Sequence, residues 1–191
     1  GWFTQAFCED ARYFTPENGA RIDAIRDRIA ALSLEPELQA IALTSLMEAA
    51  DRVDSTAGVQ MAYMKQWATR ALKPLHLRLP ALLPGPGRAT RAAAVEIAPE
   101  AEADLVYFDP PYNQHSYLGN YHVWESLVLW DKPETYGVAN KRIDVRTRKS
   151  AFNSRPGIGP ALKAVIEAVR APHLIVSFND EGYLSRDQLV E

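Results

Sequence analysis

Ile22, Ile25, Ile29 and Leu32 recur at helical spacing with arginine and aspartate between them, the pattern of a helix with one buried stripe. Thr15-Pro16-Glu17 stands just ahead and reads as a helix start. Thr supplies an N-cap oxygen, Pro suits the first helical position, and an acid complements the first turn. Pro36 interrupts the pattern, and a second helix is expected from about Glu37 to Val53. An amphipathic segment follows over roughly Thr56 to Trp67. From Leu72 to Pro99 proline is frequent, and Pro84-Gly85-Pro86-Gly87 must be loop.

The pattern then changes. Leu105-Val106-Tyr107-Phe108 is a short continuous apolar run, which predicts a buried strand over 104–109. A helix is expected over Tyr121–Asp131, then a basic loop over 137–157, and a helix from about Gly159 to Ala171. His173 to Phe178 reads as a second buried strand, ending in Asn179-Asp180-Glu181-Gly182. Ser185 and Gln188 form a capping box for a last helix. Strand, helix, strand, helix implies α/β architecture with parallel strands. The turns 109–117 and 179–182 should then share one edge of the sheet, the edge at which open α/β sheets bind ligands.

Length and charge change this picture in two respects. At 191 residues the chain is long enough for one domain with a substantial core. It begins at Gly1 in mid-pattern and stops just inside a capped helix, so we read it as an internal fragment of a longer protein. The net charge of −3 argues against a polyanionic partner, but its distribution argues for one. Residues 65–95 carry +6 with no acid and 141–155 carry +5, leaving −14 for the remainder. Basic segments on an acidic body fit local phosphate contacts, and solvated loops fit them equally. Cys8 is alone, and the four histidines lack metal-ligand spacing, so neither a disulfide framework nor a metal is expected. No signal-peptide pattern is present, and a cytoplasmic location is expected.

Candidate chemistry concentrates in Asp109-Pro110-Pro111-Tyr112. Two prolines forbid the strand from continuing and stiffen the turn. A carboxylate, a free carbonyl and an aromatic ring are therefore presented together at a strand end, a set suited to a flat ring bearing an amine. An aromatic amine is a poor nucleophile because its lone pair is delocalised. Two acceptors taking up both N–H protons draw the nitrogen toward tetrahedral geometry and localise that pair. Asp109 supplies one acceptor and the Pro110 carbonyl the other, while Tyr112 can stack on the ring. The competing reading of Asp109 is a carboxylate that merely caps a turn.

The run from Asp104 to His122, with Asp109-Pro110-Pro111-Tyr112-Asn113 followed by Asn120-Tyr121-His122, resembles the D12-class adenine-specific DNA methyltransferases. Tyr13 to Asn18, Thr56 to Tyr63, Arg148 to Phe152 and Ser177 to Gly182 are similar to the same family in the same order. The resemblance implies Asp109, Pro110, Pro111 and Tyr112 as the catalytic tetrad, adenine N6 in DNA as the target, and S-adenosylmethionine as the methyl donor. It implies part of the class I, Rossmann-like methyltransferase sheet with a helical N-terminal portion. On that reading 1–191 is one incomplete catalytic domain: a helical segment 1–71, a proline-rich region 72–103 and an α/β portion 104–191. Duplex DNA with a flipped adenine is the expected substrate. A restriction–modification system with a cognate endonuclease is the expected setting.

Tyr117, Asn120, Asn179 and Glu181 are candidates for lining the base pocket, and Arg148 and Lys149 for contacting DNA. His115 and His122 are expected as surface or helix-face polar residues, Trp124 and Trp130 as core, and Cys8 as buried. The family's Phe-x-Gly-x-Gly donor loop is not among the ten glycines. Gly85 and Gly87 have the spacing but lack the flanking strand and helix. The family often has an acid a few positions before the Asp-Pro-Pro-Tyr strand that contacts the donor, and Glu96 is the nearest candidate for it. An RNA base methyltransferase acting on guanine N2 or adenine, and a non-catalytic DNA-binding remnant, are the alternatives.

Overall fold

A computed structural model describes residues 1–190. In chain order its helices are Trp2–Thr4 (α1), Pro16–Ala31 (α2), Pro36–Asp51 (α3), Ala94–Ile97 (α4), Tyr117–Asn120 (α5), His122–Leu129 (α6), Arg155–Ala168 (α7) and Arg186–Val190 (α8). The strands are Val106–Phe108 (β1), Thr135–Tyr136 (β2), Lys141–Arg142 (β3) and Leu174–Val176 (β4). The chain forms two compact units that interleave in sequence, one from 1–84 with 118–147, the other from 85–117 with 148 onward. No helix among the described residues is long and apolar enough to cross a membrane.

The first unit is helical and built around aromatic rings. Thr15 caps α2 as expected, its hydroxyl accepting from the Asn18 amide at 3.3 Å, with Pro16 in the first turn. Ile22 and Ile29 are buried and Ile25 packs beside them, but Leu32, at the helix end, is 46% exposed. Phe3, Phe7, Tyr13, Phe14, Leu46, Val123 and Leu127 complete the centre. Trp124 and Trp130 pack against it, partly buried, and Cys8 is buried. Burial, reinforced by the Asp23 charge, pushes the Cys8 thiol up to about 12, so it stays protonated and unreactive.

Two charged residues on the buried face of α2 satisfy the ends of other helices. Asp23 accepts from the Phe3 and Thr4 amides at 3.0 and 2.9 Å, at the start of α1. Arg26 donates to the Leu127 and Val128 carbonyls, both at 3.0 Å, at the end of α6. Each charge has the sign its helix end favours, and each pairs groups that the helix itself leaves open.

Gly19 lies on the same helix, where alanine would have the better propensity. A Cβ there would stand 2.4 Å from Cys8 Sγ and 3.2 Å from the Thr4 backbone. The missing methyl is what admits the π-helical turn Gln5–Glu9 against α2. Gly19→Ala is expected to destabilise the fold by roughly 1–3 kcal/mol through overpacking. Urea unfolding measures it, and an unchanged or raised midpoint would contradict the packing account.

Residues 56–67 do not form a helix despite their amphipathic pattern; turns and bends occupy them. Several of their polar groups bond outside the segment instead, while the buried Gln60 Oε1 has no partner among the described residues. Thr56 donates to Asp54 at 2.5 Å, Asp54 holds the Arg70 guanidinium, and the Gln60 amide donates to the Asn120 carbonyl at 2.6 Å. The loop expected at 137–157 also contains β3, which pairs antiparallel with β2, and short 3-10 turns.

The second unit carries the parallel pair. Val106, Tyr107 and Phe108 of β1 face Leu174, Ile175 and Val176 of β4. Both strands are shorter than the apolar runs suggest, and they are not buried on both faces: Tyr107 is 62% and Ile175 49% exposed. Phe108 packs on the apolar stripe of α7, formed by Ile158, Ala161, Leu162 and Val165, while the alternate residues point the other way. Helix α7 starts earlier and ends earlier than its pattern implies. Pro156 fits its first turn, and Pro160 costs only the bond to the Pro156 carbonyl. Beyond Ala168 the chain turns extended, because the Arg170 amide is drawn to the Ala101 carbonyl at 3.1 Å ahead of the strand pair.

Candidate active site

The parallel register brings the carboxyl ends of β1 and β4 to one edge, so the turns beginning at Asp109 and Asn179 lie side by side, as the alternation of elements implies. The Ser177 amide donates to the Phe108 carbonyl at 2.8 Å, which carries the ladder one residue past the strands. Beyond it, the Tyr183 amide donates to the Tyr112 carbonyl, also at 2.8 Å. The Tyr112 ring meets the Phe178 ring edge-on, with centroids 5.1 Å apart. Each turn is thus braced by the other.

A third segment holds the loop after Tyr112. Asn153 Nδ2 donates to the Asn113 carbonyl at 2.9 Å and to the His115 carbonyl at 3.1 Å. The Tyr183 hydroxyl donates to Gln114 Oε1 at 2.9 Å, and the Arg155 guanidinium lies over the Tyr183 ring. Asn153, Phe178 and Tyr183 are supports that sequence reasoning missed. Phe178 and Tyr183 flank the second turn, which was the available signal; nothing local marks Asn153.

Asp109 is exposed, and its carboxylate accepts the Tyr112 hydroxyl. That bond raises the Tyr112 phenol above its ordinary value, so the ring keeps its proton at neutral pH. Among the described residues the Asp109 carboxylate accepts no backbone amide of the turn. The turn-capping bond in this loop is made by Asn113, whose Oδ1 accepts the His115 amide at 3.0 Å. Pro110 is buried, with its carbonyl accepting no bond among the described residues.

The other candidates are distributed as follows. Asn179 and Glu181 are exposed on the second turn, where the Gly182 amide closes on the Asn179 carbonyl at 3.1 Å. Tyr117, Arg148 and Lys149 are exposed in the same unit. Asn120 belongs to the other unit and is half-buried, its carbonyl taken by Gln60. Glu96 is exposed on α4. His122 departs from expectation: it is fully buried, with Nε2 2.9 Å from the Gln60 carbonyl and 3.2 Å from the Tyr13 hydroxyl. Two of the basic residues also serve the fold. Arg142 is buried and forks onto Asp131 at 2.7 Å with Asp144 at 3.1 Å, and Arg70 holds Asp54 at 2.9 Å.

Gly182 has a steric role in the second turn. A Cβ there would lie 2.4 Å from the Phe178 ring and 3.0 Å from the Asn179 carbonyl. Gly182→Ala is expected to displace Phe178, loosen the Tyr112 brace and lower activity of the complete protein by roughly tenfold or more, as small misplacements do. Steady-state kinetics check this; wild-type turnover would show that the brace is dispensable.

Among the described residues no group of three or more His, Cys, Asp or Glu side chains is placed to hold a metal. Nor does a donor cradle emerge from the glycines of the proline-rich loop. Added Cβ atoms at Gly85 and Gly87 would meet nothing within 4 Å.

Comparison with known proteins places the chain in a family. The family model for the D12 class N6 adenine-specific DNA methyltransferases matches residues 3–168. The chain is 35% identical to the type II methyltransferase M.FokI of Planomicrobium okeanokoites over 93% of its own length and 28% of the relative's. It is 32% identical to the type II methyltransferase M.NlaIII of Neisseria lactamica, over its whole length and 59% of the relative's. A third relative, the modification methylase StsI of Streptococcus sanguinis, is 30% identical over 94% of the chain and 28% of that protein. The chain therefore spans between about a quarter and three fifths of these relatives. No solved structure matches it. With the Asp-Pro-Pro-Tyr turn standing inside the matched stretch, the chain belongs to the D12 class of N6 adenine-specific DNA methyltransferases.

Proposed function

We propose that the complete protein methylates adenine N6 in duplex DNA as the modification enzyme of a restriction–modification system. The observation that carries this is the edge formed by Asp109, the Pro110 carbonyl and the braced Tyr112 ring. The relatives' names, type II methyltransferases and modification methylases, support the setting. A base inside a duplex cannot reach such an edge, so the target adenine is flipped out and stacks on Tyr112. Asp109 accepts one N–H of the amine and the Pro110 carbonyl the other, and both favour the charge that grows on the nitrogen. Asp109 then carries the departing proton to solvent. Before the base arrives the Tyr112 hydroxyl holds Asp109, so the carboxylate is oriented in advance.

Tyr117, Asn179 and Glu181, all in the second unit, are assigned to the base pocket, and Arg148 and Lys149 to DNA. Both compact units belong to one catalytic domain of the class I, Rossmann-like type on this reading, in a cytoplasmic enzyme with a partner endonuclease. The class implies S-adenosylmethionine, which supplies an electrophilic methyl group. The residues present do not fit that donor: Gly85 and Gly87 stand in open loop, and Glu96 is exposed on a single helical turn. We therefore derive no step through it. The test is methyl incorporation by the complete protein from labelled S-adenosylmethionine into duplex DNA and structured RNA. Label recovered as N6-methyladenine in DNA is expected; label in RNA alone would sink the proposal.

A further inference from the structure

Between the end of α3 and the extended segment 73–78 lies a cleft of about 390 Å³ lined by Arg52, Lys73, His76 and Arg78 with Ala49, Val53 and Pro74. We propose that this cleft seats backbone phosphate diesters of the DNA, an assignment that rests on the DNA reading above and adds a defined contact surface to it. No carboxylate lines the cleft. Arg52 is engaged by Glu48 at 3.0 Å. The Lys73, His76 and Arg78 side chains make no hydrogen bond or ion pair among the described residues. Elsewhere in the basic segments, by contrast, Arg70 and Arg142 are spent on internal carboxylates.

The wall that carries these cations is built rather than incidental. Asn18, only 2% exposed, donates to the Ala71 and Lys73 carbonyls at 3.1 and 2.9 Å and accepts the Leu75 amide at 2.9 Å. Ser45 donates to the Arg78 carbonyl at 2.5 Å. The segment is thereby pinned from α2 near one end and from α3 at the other. Its extended backbone alternates faces: Leu75 enters the core, and Leu77 and Leu79 line a separate apolar groove. Pro74, His76 and Arg78 line the cleft, with Lys73 at its start, and Arg78 also borders the apolar groove. Lys73 and Arg78 sit five residues apart, up to about 16 Å on an extended chain. A row of charge of that length suits successive phosphates of a strand better than one compact anion. The C-terminal end of α3 presents carbonyls, which disfavour an isolated, multiply charged ligand.

The experiment uses the complete protein and a duplex oligonucleotide, with affinity followed by fluorescence anisotropy from 50 to 300 mM KCl. Each lost phosphate contact lowers the slope of log affinity against log salt by about 0.9. Lys73→Gln with Arg78→Gln is expected to reduce the slope by roughly 2. Lys73→Arg with Arg78→Lys should keep it, as should Lys163→Gln on α7, an exposed lysine paired with Glu167. Thermal melts confirm that the variants fold. A double variant that folds and keeps the wild-type slope overturns the cleft. So does millimolar inorganic phosphate that binds the wild type but not the double variant and leaves duplex binding unchanged, because the cleft would then seat the free anion and not the duplex. A wild type that prefers structured RNA overturns both proposals. A wild type that binds duplex with the expected slope change but leaves adenine unmethylated supports the cleft and overturns only the enzymatic reading.

Discussion

Asp109→Ala is expected to lower adenine methylation by the complete protein about 10³-fold while duplex binding stays within a few-fold. Removing a single well-placed group that stabilises transition-state charge typically costs about 10²–10³, and a charged acceptor falls at the upper end. Asp109 is exposed and, among the described residues, its carboxylate bonds only to Tyr112, so its loss leaves the turn, braced through Tyr183, Phe178 and Asn153, in place. Asp109→Asn separates chemistry from shape. The amide can still accept the Tyr112 hydroxyl, yet it lacks the charge and offers a donor where the amine needs an acceptor. Single-turnover rates with saturating duplex read out both variants. Near-native turnover in Asp109→Asn would mean that the residue orients Tyr112 and does nothing to the amine.

Acid is expected to destabilise the first unit through His122. Its Nε2 faces the Gln60 carbonyl, which assigns the proton to Nε2, and the buried Nδ1 has no partner among the described residues. A second proton would place a charge there. Burial lowers the pKa from 6.5 to about 4, and Lys141 and Arg142 add to the effect against the bond to Gln60. The unfolded chain binds a proton below about pH 6.5 and the folded chain only near pH 4, so stability rises with pH across that window. The contribution is complete above pH 6.5 and lost below pH 4, and it amounts to about 3 kcal/mol at most. Between pH 7.5 and 5 the expected loss from this residue is about 2 kcal/mol. Urea unfolding at the two pH values, with NMR titration of the His122 ring, checks it. A ring that titrates near 6.5 in the folded protein contradicts the account.

Features written by neighbouring residues were legible in the chain. The Thr15 cap needs only Pro16, Glu17 and Asn18, and the Ser185–Gln188 box closes within four residues. The shared edge was legible too, because strand–helix–strand order constrains parallel pairing whatever the surroundings. Features set by distant partners were not. His122 owes its burial to Tyr13 and Gln60, which lie 109 and 62 residues away. An apolar run such as Leu105–Phe108 says that a strand forms, but not whether both faces are covered; α7 reaches only one. Residues 56–67 had a helical pattern that was overridden where Asp54, Thr56 and Gln60 found buried partners. Asn153 clamps the loop at 113–115 from 38 to 40 residues away, and an asparagine in a basic loop carries no mark of that.

The pairing of Val106 with Leu174 has a consequence in time. At about 5–20 residues per second, a ribosome takes roughly 3–14 s to make the 68 residues between them. Until that interval ends, Asp109 and Tyr112 lack the partners that brace them. Residues 118–147 emerge in the meantime and can join the helical unit made earlier. The half-built edge is exposed as the nascent chain grows, with β1 unpaired and its apolar residues open to solvent or chaperones. Substitutions that weaken the later partner, at Phe178 or Gly182, would therefore lower the yield of folded protein during synthesis as well as the activity of what survives.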